Sequence, residues 1–133
     1  MIYKGGCHCG AIRYEVTVDQ IATDDRSLEV VDCNCSICTK KGIIHLIVPK
    51  SKFNMTSGHD SLATYTFNTH VAKHHFCSKC GICTHYIPRS NPDGVDVNVR
   101  TFDDYYTTKF AITKFDGQHW EQGAHELSHL SKE

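Results

Sequence analysis

Apolar residues in this chain recur at every second position rather than every third or fourth. Ile12, Tyr14, Val16 and Val18 alternate with Arg13, Glu15 and Thr17, and Val95, Val97 and Val99 alternate with Asp96, Asn98 and Arg100. Period two places successive side chains on opposite faces, so both stretches predict half-buried strands. Ala63, Tyr65 and Phe67 alternate with threonines in the same way, and "SLEVVD" and "IIHLIVP" add β-branched runs, the second closed by Pro49. Turn signals separate these runs: "GG" at 5–6, "SGHD" at 57–60, "SNPDG" at 90–94 and "DG" at 116–117. No window carries a long apolar face at helical spacing. Helix is expected only as a turn after Cys35 and in the polar tail from about Glu121. The pattern predicts one mostly β domain of short antiparallel strands over residues 1–133, with Tyr65, Phe67, Phe76, Tyr86, Phe102, Phe115 and Trp120 in its core.

Charge narrows the function classes. The 133 residues include 14 Lys and Arg against 15 Asp and Glu, a net charge of -1. A nucleic-acid or acidic-membrane surface would need a basic excess or a basic stripe, and neither is present. No apolar run reaches the roughly 18 residues that a bilayer crossing requires. The start, "MIYKGG", has no apolar core segment of the kind that directs secretion. A reducing cytosol or nucleus is therefore expected.

Eight cysteines in a reducing compartment need a chemical reason. They fall in three groups: C-x-C at Cys7 and Cys9, C-x-C-x-x-C at Cys33, Cys35 and Cys38, and C-x-x-C-x-x-C at Cys77, Cys80 and Cys83. Close thiols converging on one point suit a metal such as zinc better than disulfides. Gly10 after Cys9 and Gly81 after Cys80 permit the positive φ of a metal-binding knuckle. Cys7 and Cys9 with Cys77 and Cys80 make a natural four-thiolate site, which would be closed and structural. That leaves Cys33, Cys35, Cys38 and Cys83. Either Cys83 completes a second closed site, or it packs as a small apolar residue and the second metal keeps an open corner. Spacing does not decide between them.

The histidines carry less. "HELSH", from His125 to His129, spells the H-E-x-x-H protease motif, but Gly123 weakens any helix there and no third ligand follows. It reads as a polar tail. His74 and His75 point to opposite faces of a strand, so at most one approaches a metal. His45, inside "IIHLIV", reads as a satisfied core histidine. His85 is the best candidate for a hydrogen-bonding partner or proton shuttle beside an open second metal.

The segments "GGCHCGAIRYEV", "VDCNCSIC", "HHFCSKCG" and "YIPRSNPDG" resemble the glutathione-dependent formaldehyde-activating enzyme family, with "TYTFNTH" and "PRSNP" closer to its centromere protein V branch. The resemblance runs from about Tyr3 to Trp120. It implies a β-rich, tent-like fold and two zinc ions per chain. One is structural, on Cys7, Cys9, Cys77 and Cys80. The other sits on Cys33, Cys35 and Cys38, the site treated as catalytic in that family. The implied reaction joins formaldehyde to the glutathione thiol as S-hydroxymethylglutathione, a carbon–sulfur lyase activity. Glutathione carries two carboxylates, so Lys40, Lys41 and Arg89 are candidate partners for them. Two function classes follow: a zinc-dependent enzyme acting on a small thiol, or a non-catalytic zinc-stabilised module that binds a protein, as the centromere protein V likeness suggests.

Overall fold

The computed structural model describes residues 1–18, 27–119 and 127–132. Among these residues ten short strands and one α-helix follow in chain order: β1 (Ile2–Gly6), β2 (Arg13–Thr17), β3 (Leu28–Cys33), α1 (Ser36–Lys41), β4 (His45–Pro49), β5 (Phe53–Ser57), β6 (Leu62–Tyr65), β7 (His74–Cys77), β8 (His85–Tyr86), β9 (Gly94–Asn98) and β10 (Phe110–Phe115). They assemble into a three-stranded sheet β1-β2-β5, a five-stranded sheet β10-β3-β4-β9-β8 and the hairpin β6-β7. The chain is mostly β, as its alternation predicts.

One pairing departs from the antiparallel expectation. β10 runs parallel to β3, in register from Phe110 opposite Leu28 to Phe115 opposite Cys33. Parallel neighbours need a long crossover, and everything from α1 to the turns after β9 supplies it. Nothing local in "FAITKF" reveals its partner.

The main core lies between the first two sheets. Tyr14 and Val16 of β2 meet Val30 of β3, Leu46 and Val48 of β4, and Val95 and Val97 of β9. Fully burying such side chains stabilises by about 1.5–3 kcal/mol each. The alternating residues of β2 behave as predicted, with one face buried. β9 does not: all five of its residues are buried. It lies between β4 and β8 in the sheet, and the polar residues of its second face, Asp96 and Asn98, are buried as well.

Two aromatic expectations fail. Tyr65 and Phe67 are 53% and 39% exposed, because the β6-β7 hairpin stands apart from the main core. Tyr86, Phe102 and Phe115 are buried as expected. Trp120, residues 121–126 of the polar tail and the first two letters of "HELSH" lie outside the described residues; Ser128–Ser131 form a single 3-10 turn.

Candidate metal centres and cavity

The four-sulfur group is built from two knuckles. After β1 the chain turns at Gly10 (φ 82°), and after β7 it turns at Gly81 (φ 81°), as the sequence expects. The Cys7 N–H donates to Ile12 O at 3.0 Å, and the Cys77 N–H donates to Ile82 O at 2.9 Å, closing both loops alike. The turns bring the sulfurs of Cys7, Cys9, Cys77 and Cys80 within 4.8 Å of one another. Cys7 to Cys9 is 3.6 Å and Cys9 to Cys77 is 3.7 Å. A tetrahedron with metal–sulfur bonds of about 2.3 Å has edges of roughly 3.8 Å, so the spacing suits a four-coordinate ion. Burial works against ionisation of Cys7, but the Ile12 N–H and the neighbouring Cys9 and Cys77 thiols hold its pKa below the ordinary thiol value. Cys7 and Cys77 are packed with Ile12 in a small core of their own.

The three-sulfur group is made where β3 hands over to α1. Cys33 ends the strand. Cys35 is the N-cap of α1, its sulfur accepting the Cys38 N–H at 3.4 Å, and Cys38 sits in the first turn. The helix stops after six residues at Gly42 (φ 68°), whose N–H donates to Cys38 O. The sulfurs of Cys33, Cys35 and Cys38 lie within 4.8 Å of one another. At this distance negative charge settles on Cys35. The Cys33 and Cys38 thiols and the Cys38 N–H hold its pKa far below the ordinary thiol range. The neighbouring Cys35 in turn pushes Cys33 up to about 11, and both other sulfurs push Cys38 upward. Three thiols that cannot ionise together without a cation form a donor set that fits one. Both cysteine groups can therefore hold metal ions.

Cys83 is not part of this trio. It is buried with Ile43, Tyr86 and Phe76, its thiol pointing to His85 O at 3.6 Å, and burial raises its pKa to about 11. Among the described residues the trio has no fourth protein donor of matching geometry.

The trio opens on a cavity of about 420 Å³. Its floor is one face of the five-stranded sheet, formed by Val31 and Cys33 of β3, His45 and Ile47 of β4, Asp96 of β9, Tyr86 of β8 and Phe115 of β10. The opposite face of the same strands is the main core. The rim includes Phe67, Asn68, His74, Arg89 and Gln118. In the floor, His45 Nδ1 lies 2.7 Å from Asp96 Oδ2, and the Tyr86 hydroxyl stands 3.3 Å from the same nitrogen. His45 and Asp96 are 3% and 1% exposed. His45 Nε2 and Asp96 Oδ1 have no hydrogen-bond partner among the described residues. Burial disfavours the charged imidazole, but the Asp96 charge and hydrogen bond outweigh it and raise the His45 pKa. Burial takes His74 the other way, down to about 4.

Not every candidate residue reaches this place. Arg89 lines the cavity and His74 does so from its strand, whereas His75 faces Thr64. His85 is not among the lining residues: its ring bonds Thr84 Oγ1 at 2.8 Å and packs on Phe53 at 4.5 Å. Lys40 is exposed and Lys41 turns inward, its ammonium 5.7 Å over the Tyr86 ring, so neither borders the cavity. Sequence reasoning missed Asp96 and read His45 as fully satisfied. A charge in the middle of "VDVNV" was the available sign, but it reads equally as a solvent-facing residue.

Comparison with known proteins places this geometry. The crystal structure of a Rhodobacter sphaeroides protein from structural genomics has a TM-score of 0.68 with this chain at 35% identity, covering 83% of this chain and 99% of that one. The sequence model for glutathione-dependent formaldehyde-activating enzymes matches residues 2–121, a span that contains both cysteine groups and the cavity floor. The chain belongs to the glutathione-dependent formaldehyde-activating enzyme family.

Proposed function

We propose that the trio of Cys33, Cys35 and Cys38 holds zinc and that the cavity beside it binds a small thiol of the glutathione type, forming or cleaving its S-hydroxymethyl adduct. The observation that carries this reading is a three-thiol donor set with no fourth protein ligand among the described residues, open to a cavity of small-molecule size. Zinc held by these three thiolates would be a net negative centre of weakened Lewis acidity; it could take an incoming thiol as a fourth ligand and would polarise a carbonyl only poorly.

The chain's own residues supply the rest. Arg89 brings a planar guanidinium to the rim, suited to a carboxylate of the thiol. Ile47, Phe67 and Phe115 give apolar walls that displace water from the reacting carbon. The four-sulfur group lies in a separate small core and serves the fold. Lys40 and Lys41 do not line the cavity, so this reading assigns them no contact with the thiol.

The test is a calorimetric titration of glutathione into zinc-loaded protein, with metal content measured in parallel. About two zinc ions per chain and millimolar or tighter binding are expected, and Cys35→Ser should abolish the binding. Full zinc content with no glutathione binding at about 10 mM would remove the enzyme reading and leave the zinc-stabilised interaction module.

A further inference from the structure

His45 and Asp96 are where the floor of the cavity departs from what packing requires. The register of β4 on β9 sets His45 opposite Asn98 and Ile47 opposite Asp96, so His45 and Asp96 sit diagonally on one sheet face. β8 sets Tyr86 directly opposite Asp96 on that face. Apolar residues would make an adequate floor. Instead the sheet carries an imidazole and a carboxylate, each almost wholly buried, and leaves Nε2 and Oδ1 without hydrogen-bond partners among the described residues. An unpaired buried polar atom is costly unless something arrives to bond it.

What arrives comes through the cavity, which both residues line together with the three cysteines. Nε2 is not itself a fourth metal donor in this geometry, because His45 falls outside the group of mutually close sulfurs. Nε2 is itself covered, so a molecule bound in the cavity would reach it by displacing a neighbouring side chain.

We propose that His45, oriented by Asp96, gives and takes the proton of the carbinol oxygen of a bound thiohemiacetal, so that the site selects thiol adducts carrying a hydroxyl on the carbon attached to sulfur. This rests on the thiol-adduct reading above and adds the group that performs its proton transfer. In the forward direction the thiolate sulfur gives its electron pair to the aldehyde carbon and the S–C bond forms. The C=O π pair moves to oxygen, which takes the proton from Nε2. His45 is left neutral, its other proton still on Nδ1 toward Asp96. The proton that the thiol loses on binding restores the imidazolium, so the sum is thiol plus aldehyde giving adduct. In reverse, Nε2 takes the hydroxyl proton, C=O reforms and the S–C pair returns to sulfur. The arrangement resembles the His–Asp half of a catalytic triad, in which the carboxylate fixes the tautomer and steadies the charged ring. The raised pKa of His45 agrees with this role.

Two variants separate the functions of the two ring nitrogens. His45→Asn keeps a donor where Nδ1 lies but has nothing at Nε2. His45→Gln places an amide near Nε2 but cannot transfer a proton. Three quantities are measured for each: zinc content, calorimetric binding of glutathione with and without formaldehyde, and the adduct interconversion rate by exchange NMR, less the uncatalysed rate. Both variants should keep their zinc and bind glutathione within about threefold of wild type. The protein-dependent rate should fall about a hundredfold or more in both. The tighter binding seen with formaldehyde should drop about tenfold in His45→Asn and less in His45→Gln. Unchanged rates in both variants would overturn the inference while leaving the thiol site intact. Loss of one zinc in both would also overturn it, by making His45 part of the metal site. Absence of glutathione binding in the wild type would remove the reading beneath it, and this inference with it.

Discussion

Gly117 stands against Cys33 so closely that a Cβ on the glycine would overlap the cysteine sulfur and lie 2.9 Å from the Cys35 Cβ. The contact follows from the parallel register, which sets Phe115 opposite Cys33 and carries the chain past the trio. Asn34 stitches the two segments together: its N–H donates to Phe115 O at 3.2 Å, and its side-chain oxygen accepts the Gln118 N–H at 3.0 Å. The last strand is thus a wall of the three-sulfur site.

Gly117→Ala should therefore empty that site without unfolding the protein. Zinc should fall from about two to about one per chain, with a loss of stability of roughly 1–3 kcal/mol from overpacking. Metal analysis with urea unfolding checks this. Retention of both ions would mean that β10 moves away at little cost.

The two cysteine groups should differ in what they support. Cys77 is fully buried and holds β7 to the knuckle after β1, so Cys77→Ser removes both an ion and a core contact. Its melting temperature should fall by about 10 °C or more. Cys35→Ser, at the mouth of a cavity, should lose its ion and its glutathione binding with a fall of only a few degrees. Equal losses in the two variants would contradict a division into structural and functional sites.

Cys83→Ser should leave both ions in place. The Cys83 thiol packs among Ile43, Phe76 and Tyr86, outside the trio. Replacing sulfur with a hydroxyl in that apolar setting should destabilise by about 1–2 kcal/mol. Loss of the second zinc would instead identify Cys83 as its fourth ligand.

Acid should weaken the fold partly through His85. Burial, with a smaller contribution from the nearby His75 charge, holds its pKa down to about 3, against an ordinary value near 6.5. Below pH 6.5 the unfolded chain takes up this proton and the folded one does not. Stability is therefore complete above 6.5 and declines as pH falls toward 3. Urea unfolding at pH 7, 6 and 5 should show an acid slope that is shallower in His85→Leu by roughly 1 kcal/mol per pH unit. Parallel slopes would show that His85 is protonated in the folded protein as readily as in the unfolded one.

Much of this molecule was legible in its sequence because the informative residues are neighbours along the chain. Cys33, Cys35 and Cys38 share one strand end and one helical turn, so their convergence is local. The glycines after Cys9 and Cys80 announce their turns for the same reason. The alternation in β2 works because that strand has one dry face. The same rule misleads at β9, where Asp96 and Asn98 meet buried partners, the His45 ring and Cys83 O, rather than solvent. The His45–Asp96 pair, the distance of His85 from the cavity and the parallel partner of β10 are all set by which strands lie side by side. Side-chain periodicity carries no information about that order.

The pairing of β10 with β3 has a consequence for how the protein is made. Lys114 reaches Asp32 across 82 positions of chain, whereas the four-sulfur clip needs nothing beyond Cys80. A ribosome therefore delivers the first clip complete while the wall of the second site is still unsynthesised. Long-range strand pairing is slow to form, which widens that interval. During it three thiols stand bare beside an unfinished sheet. If both sites hold zinc as proposed, the supply of that metal during translation sets whether the trio is filled before its wall is complete or is left open to oxidants.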